Sequence, residues 1–351
     1  MAKKVAKKTR RQSVAGKRLV VIGTSAGGIE ALKTLLAELP ADFPAAVLIV
    51  VHISPNSPSL LPNIFQRVTR LKLVLQSRDC DAIRAGNVYL APPNFHLMVN
   101  DGHIRLSSGP RENRHRPAID PLFRSAAEAR GPNVIGVILT GNLGDGAAGL
   151  RVIKECGGIT IVQNPNDAPF PDMPRNALER MKPDYVVPLS EMGALLSRVV
   201  EKPVRPLHKH VAARIKAESD VAQMDEWRNV LEHNGKPSQY ACPDCHGVLW
   251  EVMEGGQVRF RCRVGHAYSL ESLHESMSEA SENALWIAMR ALEEKISLLQ
   301  RLGMDARKRH RLASARHFDE RARELAPAVG TLHKLLEKIP KGEVRGNGES
   351  D

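Results

Sequence analysis

Residues 19–39 begin Leu19-Val20-Val21-Ile22-Gly23-Thr24-Ser25-Ala26-Gly27-Gly28 and continue through Ile29 to Leu39. A short apolar, β-branched run ends in a turn of small residues, and a helical pattern starts directly behind it. The glycines let the chain reverse with no Cβ in the way of a bound group, and the start of the helix supplies backbone N–H groups that have no intrahelical acceptor. Ser25 in such a turn has the setting of a nucleophile beside an oxyanion hole, with Gly27 as a donor. The same glycines and helix start also describe a phosphate-cradling turn, and this stretch alone leaves both readings open. Two absences weigh against a nucleotide. No Lys-Ser/Thr pair follows the glycines, and the spacing of Gly23, Gly27 and Gly28 is not G-x-G-x-x-G.

Outward from this turn, Leu19–Ile22, Ala46–Val51, Val134–Leu139 and Ile159–Val162 read as continuously apolar strands, separated by helical stretches at 29–39, 58–69, 120–130 and 147–155. Runs that are apolar on both faces imply a parallel sheet covered by helices. Val88–Leu90, His96–Val99 and His103–Leu106 have a different texture, and Asn100-Asp101-Gly102 marks a hairpin tip among them. The expectation for residues 19–200 is a three-layer α/β/α domain with a mainly parallel sheet and an antiparallel hairpin excursion.

In open α/β sheets functional groups gather at the carboxyl ends of the strands. Ser25 follows the first strand, His52 ends the second, and Asp145 follows a later one in Thr140-Gly141-Asn142-Leu143-Gly144-Asp145-Gly146. All three fall on one rim. A hydroxyl nucleophile needs a base to take its proton, and an imidazole base needs a carboxylate to hold its tautomer and stabilise the cation. Asp120 competes for the acid's role. Because Pro121 and the amphipathic Leu122, Phe123 and Ala126 follow it, it reads as the N-cap of a helix. Asp145, between two glycines in a loop, is the better candidate. The order Ser, His, Asp also differs from that of an α/β-hydrolase, in which the acid precedes the histidine.

These stretches resemble the catalytic domain of CheB-type chemotaxis protein-glutamate methylesterases. The matching residues are Ile22 to Gly28, His52, Arg116-Pro117-Ala118-Ile119-Asp120-Pro121-Leu122-Phe123, Leu139 to Gly141 through Asp145 to Ala147, Gln163-Asn164 and Met173-Pro174, in the family's order over about residues 18–200. The resemblance implies a Ser-His-Asp triad at Ser25, His52 and Asp145, with no cofactor for catalysis. It implies a carboxyl-ester hydrolase acting on glutamate γ-methyl esters of a chemoreceptor-like protein, and on glutamines by the same mechanism. Two positions depart from the family. Ala26 stands where Thr is common, and Asn142 where Met is frequent in a loop implicated in the oxyanion hole. A backbone N–H at Asn142 serves whatever its side chain, so activity is expected to survive. The chemotaxis enzymes carry an N-terminal receiver, whereas only a basic stretch precedes the first strand here. Regulation is therefore expected from partners or from the C-terminal third.

The chain has 351 residues and a net charge of +11. Residues 1–18 contain eight Lys/Arg and no acid, so the remaining 333 carry +3. The excess is thus a basic tail, read as disordered, and the body shows no general nucleic-acid signature. No apolar stretch is long enough to span a bilayer and no signal-peptide core follows the basic start, which points to the cytoplasm.

Residues 201–240, with Pro203 and Pro206, read as a linker, and 339–351 as a disordered tail. Cys242-Pro-Asp-Cys245 and Cys262-Arg-Val-Gly-His266 lie between them, and supply three thiolates and an imidazole at zinc-ligand spacing. Val248–Met253 and Val258–Arg261 alternate around Gly255-Gly256, so residues 241–268 are expected to form a small zinc ribbon, its metal structural because four protein ligands fill the shell. A redox role for the CxxC is the competing reading. Cys80 and Cys156 are expected to be small buried residues. Residues 269–338 carry two apolar seams: Leu285, Met289, Leu292, Ile296 and Leu299, then, beyond a break at Gly303, Phe318, Ala322, Leu325, Val329, Leu332 and Leu336. They predict a helical hairpin, interrupted at Pro327, and equally a surface for a partner helix. The rival to the enzyme is a non-enzymatic adaptor in which ribbon, hairpin and tail bind protein or nucleic acid.

Overall fold

Six-residue apolar runs set the centre of the sheet. In the computed structural model, which describes residues 18–53, 60–74, 78–204, 235–254 and 257–338, β1 (Leu19–Thr24) and β2 (Ala46–Val51) are buried along their whole length. They belong to a seven-stranded sheet in the order β3 (Lys72–Val74), β4 (Asn87–Leu90), β2, β1, β7 (Val134–Ile138), β8 (Ile159–Gln163), β9 (Tyr185–Val187), with every pairing parallel. Side chains alternate across it. Leu19, Val21, Leu48 and Val50 meet Leu122, Phe123, Leu150 and Met173 of α3 (Ile119–Arg130), α4 (Ala147–Glu155) and α5 (Asp172–Arg180). Val20, Ile22, Val47 and Ile49 meet Leu32, Leu36, Phe65 and Leu196 of α1 (Gly28–Glu38), α2 (Leu61–Gln66) and α6 (Leu189–Val200). Each such side chain contributes about 1.5–3 kcal/mol on burial, and the result is three layers.

The chain leaves β1 toward β2 on one side and later returns to β7 on the other. The crevice between the carboxyl ends of β1 and β7 is therefore where such a sheet holds its functional groups.

Several expectations need correction. Val88–Leu90 is not part of the hairpin excursion, because β4 lies between β3 and β2 in the parallel sheet. The excursion is β5 (His96–Asn100) with β6 (His103–Ser107), a separate antiparallel pair. Of the helix expected at 58–69, the described residues, 60–69, form only Leu61–Gln66 as helix. Arg18, counted with the basic tail, is buried and donates to the carbonyls of Pro132 and Lys202. The rest of the tail, linker residues 205–234, Gly255-Gly256 and the 339–351 tail lie outside the described residues.

C-terminal to the linker, β10 (Lys236–Ala241), β11 (Val248–Glu254), β12 (Gln257–Cys262) and β13 (Ala267–Tyr268) form an antiparallel sheet in chain order. β10 thus begins inside the span read as linker. This sheet falls in the same compact unit as the three layers, and that unit ends at Leu273.

The second unit, from His274, contains most of α7 (Leu270–Lys308) and all of α8 (Leu312–Lys338). The predicted seams are their inward faces: Met289, Ala322 and Leu336 are buried, and Leu285, Leu292, Ile296, Leu299, Phe318, Leu325, Val329 and Leu332 are half-buried. Gly303 does not end the first helix. A Cβ there would lie 2.7 Å from Asp319 Oδ1, so the glycine permits a close crossing with α8, where Arg307 pairs with Asp319. Nor does Pro327 end the second, since α8 runs through it. A proline inside a helix costs about 3 kcal/mol, which burial of the flanking seam residues offsets.

Candidate active site

β1 ends at Thr24, α1 starts at Gly28, and Ser25 lies half-buried in the turn between. Gly27 is left-handed (φ 73°) as the N-cap of α1, a conformation that disfavours any residue with a Cβ. The β7–α4 loop holds the turn from the side. Ser25 N–H donates to the Thr140 carbonyl at 3.1 Å, and the Thr24 hydroxyl donates to the same oxygen at 2.8 Å. Gly141 packs directly on the serine. A Cβ at 141 would lie 2.7 Å from Ser25 Cβ and would clash with Met173 Sδ, so only glycine fits. Asn142 follows it and is exposed. The motif residues Gln163 and Met173 brace this loop: Gln163 Oε1 accepts from Thr140 N–H at 2.9 Å, and Met173 N–H donates to the Gly141 carbonyl at 2.9 Å.

Ser25, His52 and Asp145 are brought together. Ser25 Oγ lies 3.1 Å from His52 Nδ1, and His52 Nε2 lies 2.8 Å from Asp145 Oδ2. A carboxylate accepts only, so Nε2 carries the ring proton and Nδ1 offers its lone pair to the serine hydroxyl. Both the His52 and Asp145 side chains are almost fully buried, at 4% and 1% exposure. Five donors converge on Asp145. His52 Nε2–H and Ile119 N–H (2.6 Å) reach Oδ2, while Asn113 Nδ2 (2.8 Å), Asp120 N–H (3.2 Å) and Gly146 N–H (2.9 Å) reach Oδ1. Burial pushes this carboxyl toward protonation. The bonds from His52, Ile119 and Asn113, together with the His52 charge, outweigh burial and hold it well below the usual carboxylate range.

The bonds from Ile119 and Asp120 come from the first turn of α3, so the free N–H groups at that helix start are satisfied by Asp145. This corrects the reading of Asp120. The N-cap position is Ala118, and Asp120 sits inside the first turn, buried, with Oδ1 accepting from Gly149 N–H at 2.8 Å. Its Oδ2 accepts from Asn113 Nδ2 at 3.1 Å and from Arg259 Nη1 at 2.7 Å.

His115 was missed by sequence reasoning. Its ring stacks on His52 at 3.6 Å between centroids, 12° from parallel. Desolvation, with the neighbouring His52 adding to it, lowers its pKa to about 3. It therefore stays neutral while it covers one face of the His52 ring. An unfolded imidazole takes a proton below about pH 6.5, so the unfolded state binds more protons and stability falls as pH drops from about 6.5 toward about 3. Buried His96, also shifted down, chiefly by desolvation, adds to this slope. His115→Gln should flatten the dependence of Tm on pH in that window, measured by calorimetry. An unchanged slope would show that His115 titrates like a surface imidazole.

A second cluster lies in the ribbon. The ligand atoms of Cys242, Cys245, Cys262 and His266 are all within 4.8 Å of one another and could hold a metal ion. Cys245 Sγ is 3.5 Å from Cys262 Sγ, and His266 Nδ1 is 3.5 Å from Cys262 Sγ and 3.7 Å from Cys242 Sγ. A tetrahedron with bonds of about 2.0–2.3 Å has edges of about 3.3–3.8 Å, and these three separations match such edges. The Tyr268 hydroxyl donates to Asp244 at 2.5 Å and lies 3.5 Å from Cys242 Sγ. Of the other two cysteines Cys156 is buried, but Cys80 is exposed, contrary to expectation.

The family profile for CheB methylesterase matches residues 20–196, half of the chain, and the chain belongs to that family. Over 181 residues it is 42% identical to a candidate protein-glutamate methylesterase/protein-glutamine glutaminase of Leptospira interrogans, a match covering 51% of this chain and 93% of that one. It is also 42% identical over 178 residues to protein-glutamate methylesterase/protein-glutamine glutaminase 2 of Anaeromyxobacter dehalogenans, covering 51% of this chain and 52% of that one. The crystal structure of the Thermotoga maritima CheB methylesterase catalytic domain superposes with a TM-score of 0.50 at 32% identity, covering 52% of this chain and 98% of that one. The matched residues of the family profile end before the ribbon.

Proposed function

We propose that this chain is a protein-glutamate methylesterase that hydrolyses glutamate γ-methyl esters on a chemoreceptor-like protein and deamidates glutamines at such sites. The observation that carries the reading is the continuous line of hydrogen bonds from Ser25 through His52 to Asp145 at the sheet's switch point. Ser25 Oγ attacks the side-chain carbonyl carbon while His52 Nδ1 takes its proton. The oxyanion is held by backbone N–H groups at Gly27 and Asn142. The tetrahedral intermediate collapses as His52 returns the proton to methoxide, and methanol leaves. Water, deprotonated by His52, then cleaves the acyl-enzyme to release glutamate and restore Ser25. For a glutamine the leaving group is ammonia. Asp145 orients His52 and stabilises the imidazolium throughout.

The metal suited to the ribbon is zinc, held by Cys242, Cys245, Cys262 and His266, three soft thiolates and one imidazole. Bound there it cross-links the turns of a small sheet and takes no part in acyl transfer. No described helix is long and apolar enough to cross a membrane. The hydrogen-bonded Ser-His-Asp line supports the enzyme over the adaptor, which has no use for it.

The test is methanol release from the methylated cytoplasmic helices of a chemoreceptor, followed by gas chromatography, with mass spectrometry reading glutamate at the same positions. Stoichiometric methanol and glutamate are expected. A protein that hydrolyses small esters but leaves every methylated receptor intact would overturn the substrate class.

A further inference from the structure

The strands of the ribbon have two faces. Along β12, Phe260 and Cys262 belong to the ribbon's own core, while Arg259 and Arg261 alternate with them on the opposite side. Both arginines are nonetheless buried, at 2% and 5% exposure. Burying a guanidinium costs several kcal/mol unless it is paired. Arg261 donates to Glu254 at 2.5 Å, and Arg124 of α3 is paired to Glu112 at 2.7 Å. Arg259 donates to Asp120 Oδ2 at 2.7 Å and to Asn113 Oδ1 at 3.1 Å, across 139 and 146 residues of sequence. Three guanidinium groups thus meet the three carboxylates Asp120, Glu112 and Glu254.

Asn113 joins this cluster to the catalytic rim. Its amide nitrogen donates to both Asp145 and Asp120. Its oxygen accepts from Arg259, from Ser269 N–H at 3.1 Å and from the Ser272 hydroxyl at 3.3 Å, so every donor it meets comes from the ribbon or the helix start behind it. An amide oxygen held by those donors cannot exchange places with its nitrogen, so the nitrogen is fixed toward Asp145. Backbone bonds press the same segment into the ribbon sheet: Asn113 N–H donates to the Ala267 carbonyl at 2.8 Å, and Ala267 N–H to Arg111 at 3.3 Å. Asp120 and Asp145 share one amide group, and an unneutralised Asp120 would repel its neighbour. Arg259 cancels that charge.

We infer that Arg259 of the ribbon is a positioning residue for this reaction, acting through Asn113 and Asp120 to hold Asp145 on His52. The inference rests on the proposed catalytic role of Asp145. It makes the C-terminal extension part of the active-site architecture.

The test is a double-mutant cycle on the full-length, metal-loaded protein, with metal content and circular dichroism confirming that each variant keeps its ribbon. Hydrolysis of a small peptide carrying a glutamate γ-methyl ester gives kcat and KM. Arg259→Ala should lower kcat by about 10- to 100-fold, as small misplacements of catalytic groups do, with KM unchanged. Arg259→Lys, which keeps the charge but not the fork, should fall between. In an Asp145→Asn background the same Arg259→Ala change should cost less than about twofold, because the effect it transmits is already lost. If the alanine variant loses its metal, Arg259→Gln takes its place in the cycle. Equal losses in the two backgrounds, or an unchanged kcat in the single variant, would overturn the inference while leaving the methylesterase reading intact. Failure of the native protein to hydrolyse the ester would overturn both.

Discussion

Ser25→Ala and His52→Ala should each lower kcat for methanol release from methylated receptor by about 10⁴-fold or more, with little change in Tm for Ser25→Ala. A serine that attacks and a histidine that takes its proton act as one unit, so removing either costs about as much as removing both. The double variant should therefore be no slower than the singles. Asp145→Asn should lose about 10³- to 10⁴-fold, because the amide can present its N–H to Nε2 and favour the wrong tautomer of His52. Asp145→Asn also exchanges a carboxylate that receives five donors for a group that accepts at one atom only, so unlike Ser25→Ala it should lower Tm. Parallel kinetics and calorimetry on the three variants check this. If Ser25→Ala retained more than a hundredth of native activity, the serine would not be the nucleophile.

Removal of the proposed zinc should unfold the ribbon and leave the α/β layers standing. The core of the ribbon is small: Leu249, Phe260, Tyr268 and Leu273 with Cys242 and Cys262. A core of that size does not hold a four-stranded sheet without a staple, whereas a structural zinc supplies about 10 kcal/mol or more of apparent folding free energy. Elemental analysis should give one zinc per chain, falling to near zero in Cys242→Ser or after chelation. Limited proteolysis should then cut within 236–268, and the near-ultraviolet signal of Trp250 in β11 should fade. Because an unfolded ribbon withdraws Arg259 from Asp120 and Ala267 from Asn113, kcat should drop at least to the level of Arg259→Ala. Protease resistance and full activity in a metal-free chain would contradict this.

Much of the candidate site's arrangement was legible because its parts are local. Ser25, His52 and Asp145 each follow a strand, and strands that are apolar on both faces announce a parallel sheet whose carboxyl ends share a rim. The clustering of Cys242, Cys245, Cys262 and His266 was legible from spacing alone, since two short turns supply two donors each. Asp120 was misread because Asp-Pro before an amphipathic run satisfies the pattern of a cap, while the group that caps α3 comes from the β7–α4 loop. Nothing local distinguishes a cap supplied by the helix's own residue from one supplied across the fold. Asn113 and His115 lie in an irregular segment, with Asn113 at positive φ (48°) and no period to mark a buried face. Arg259 is invisible for a related reason. An arginine alternating with Phe260 in a strand reads as solvent-facing, and only the docking of that face against Asp120 turns it inward. The edge strands β3 and β9, three residues each and only partly buried, are too short to carry a pattern.

The most direct measurement of the central claim is reaction of the native protein with a fluorophosphonate probe, followed by peptide mass spectrometry. The probe bonds only to a serine oxygen made nucleophilic by a neighbouring base. A single adduct is expected on Ser25, absent in Ser25→Ala and strongly slowed in His52→Ala. A native protein that forms no adduct, or equal labelling of Ser25→Ala, would contradict the assignment of Ser25 as the nucleophile.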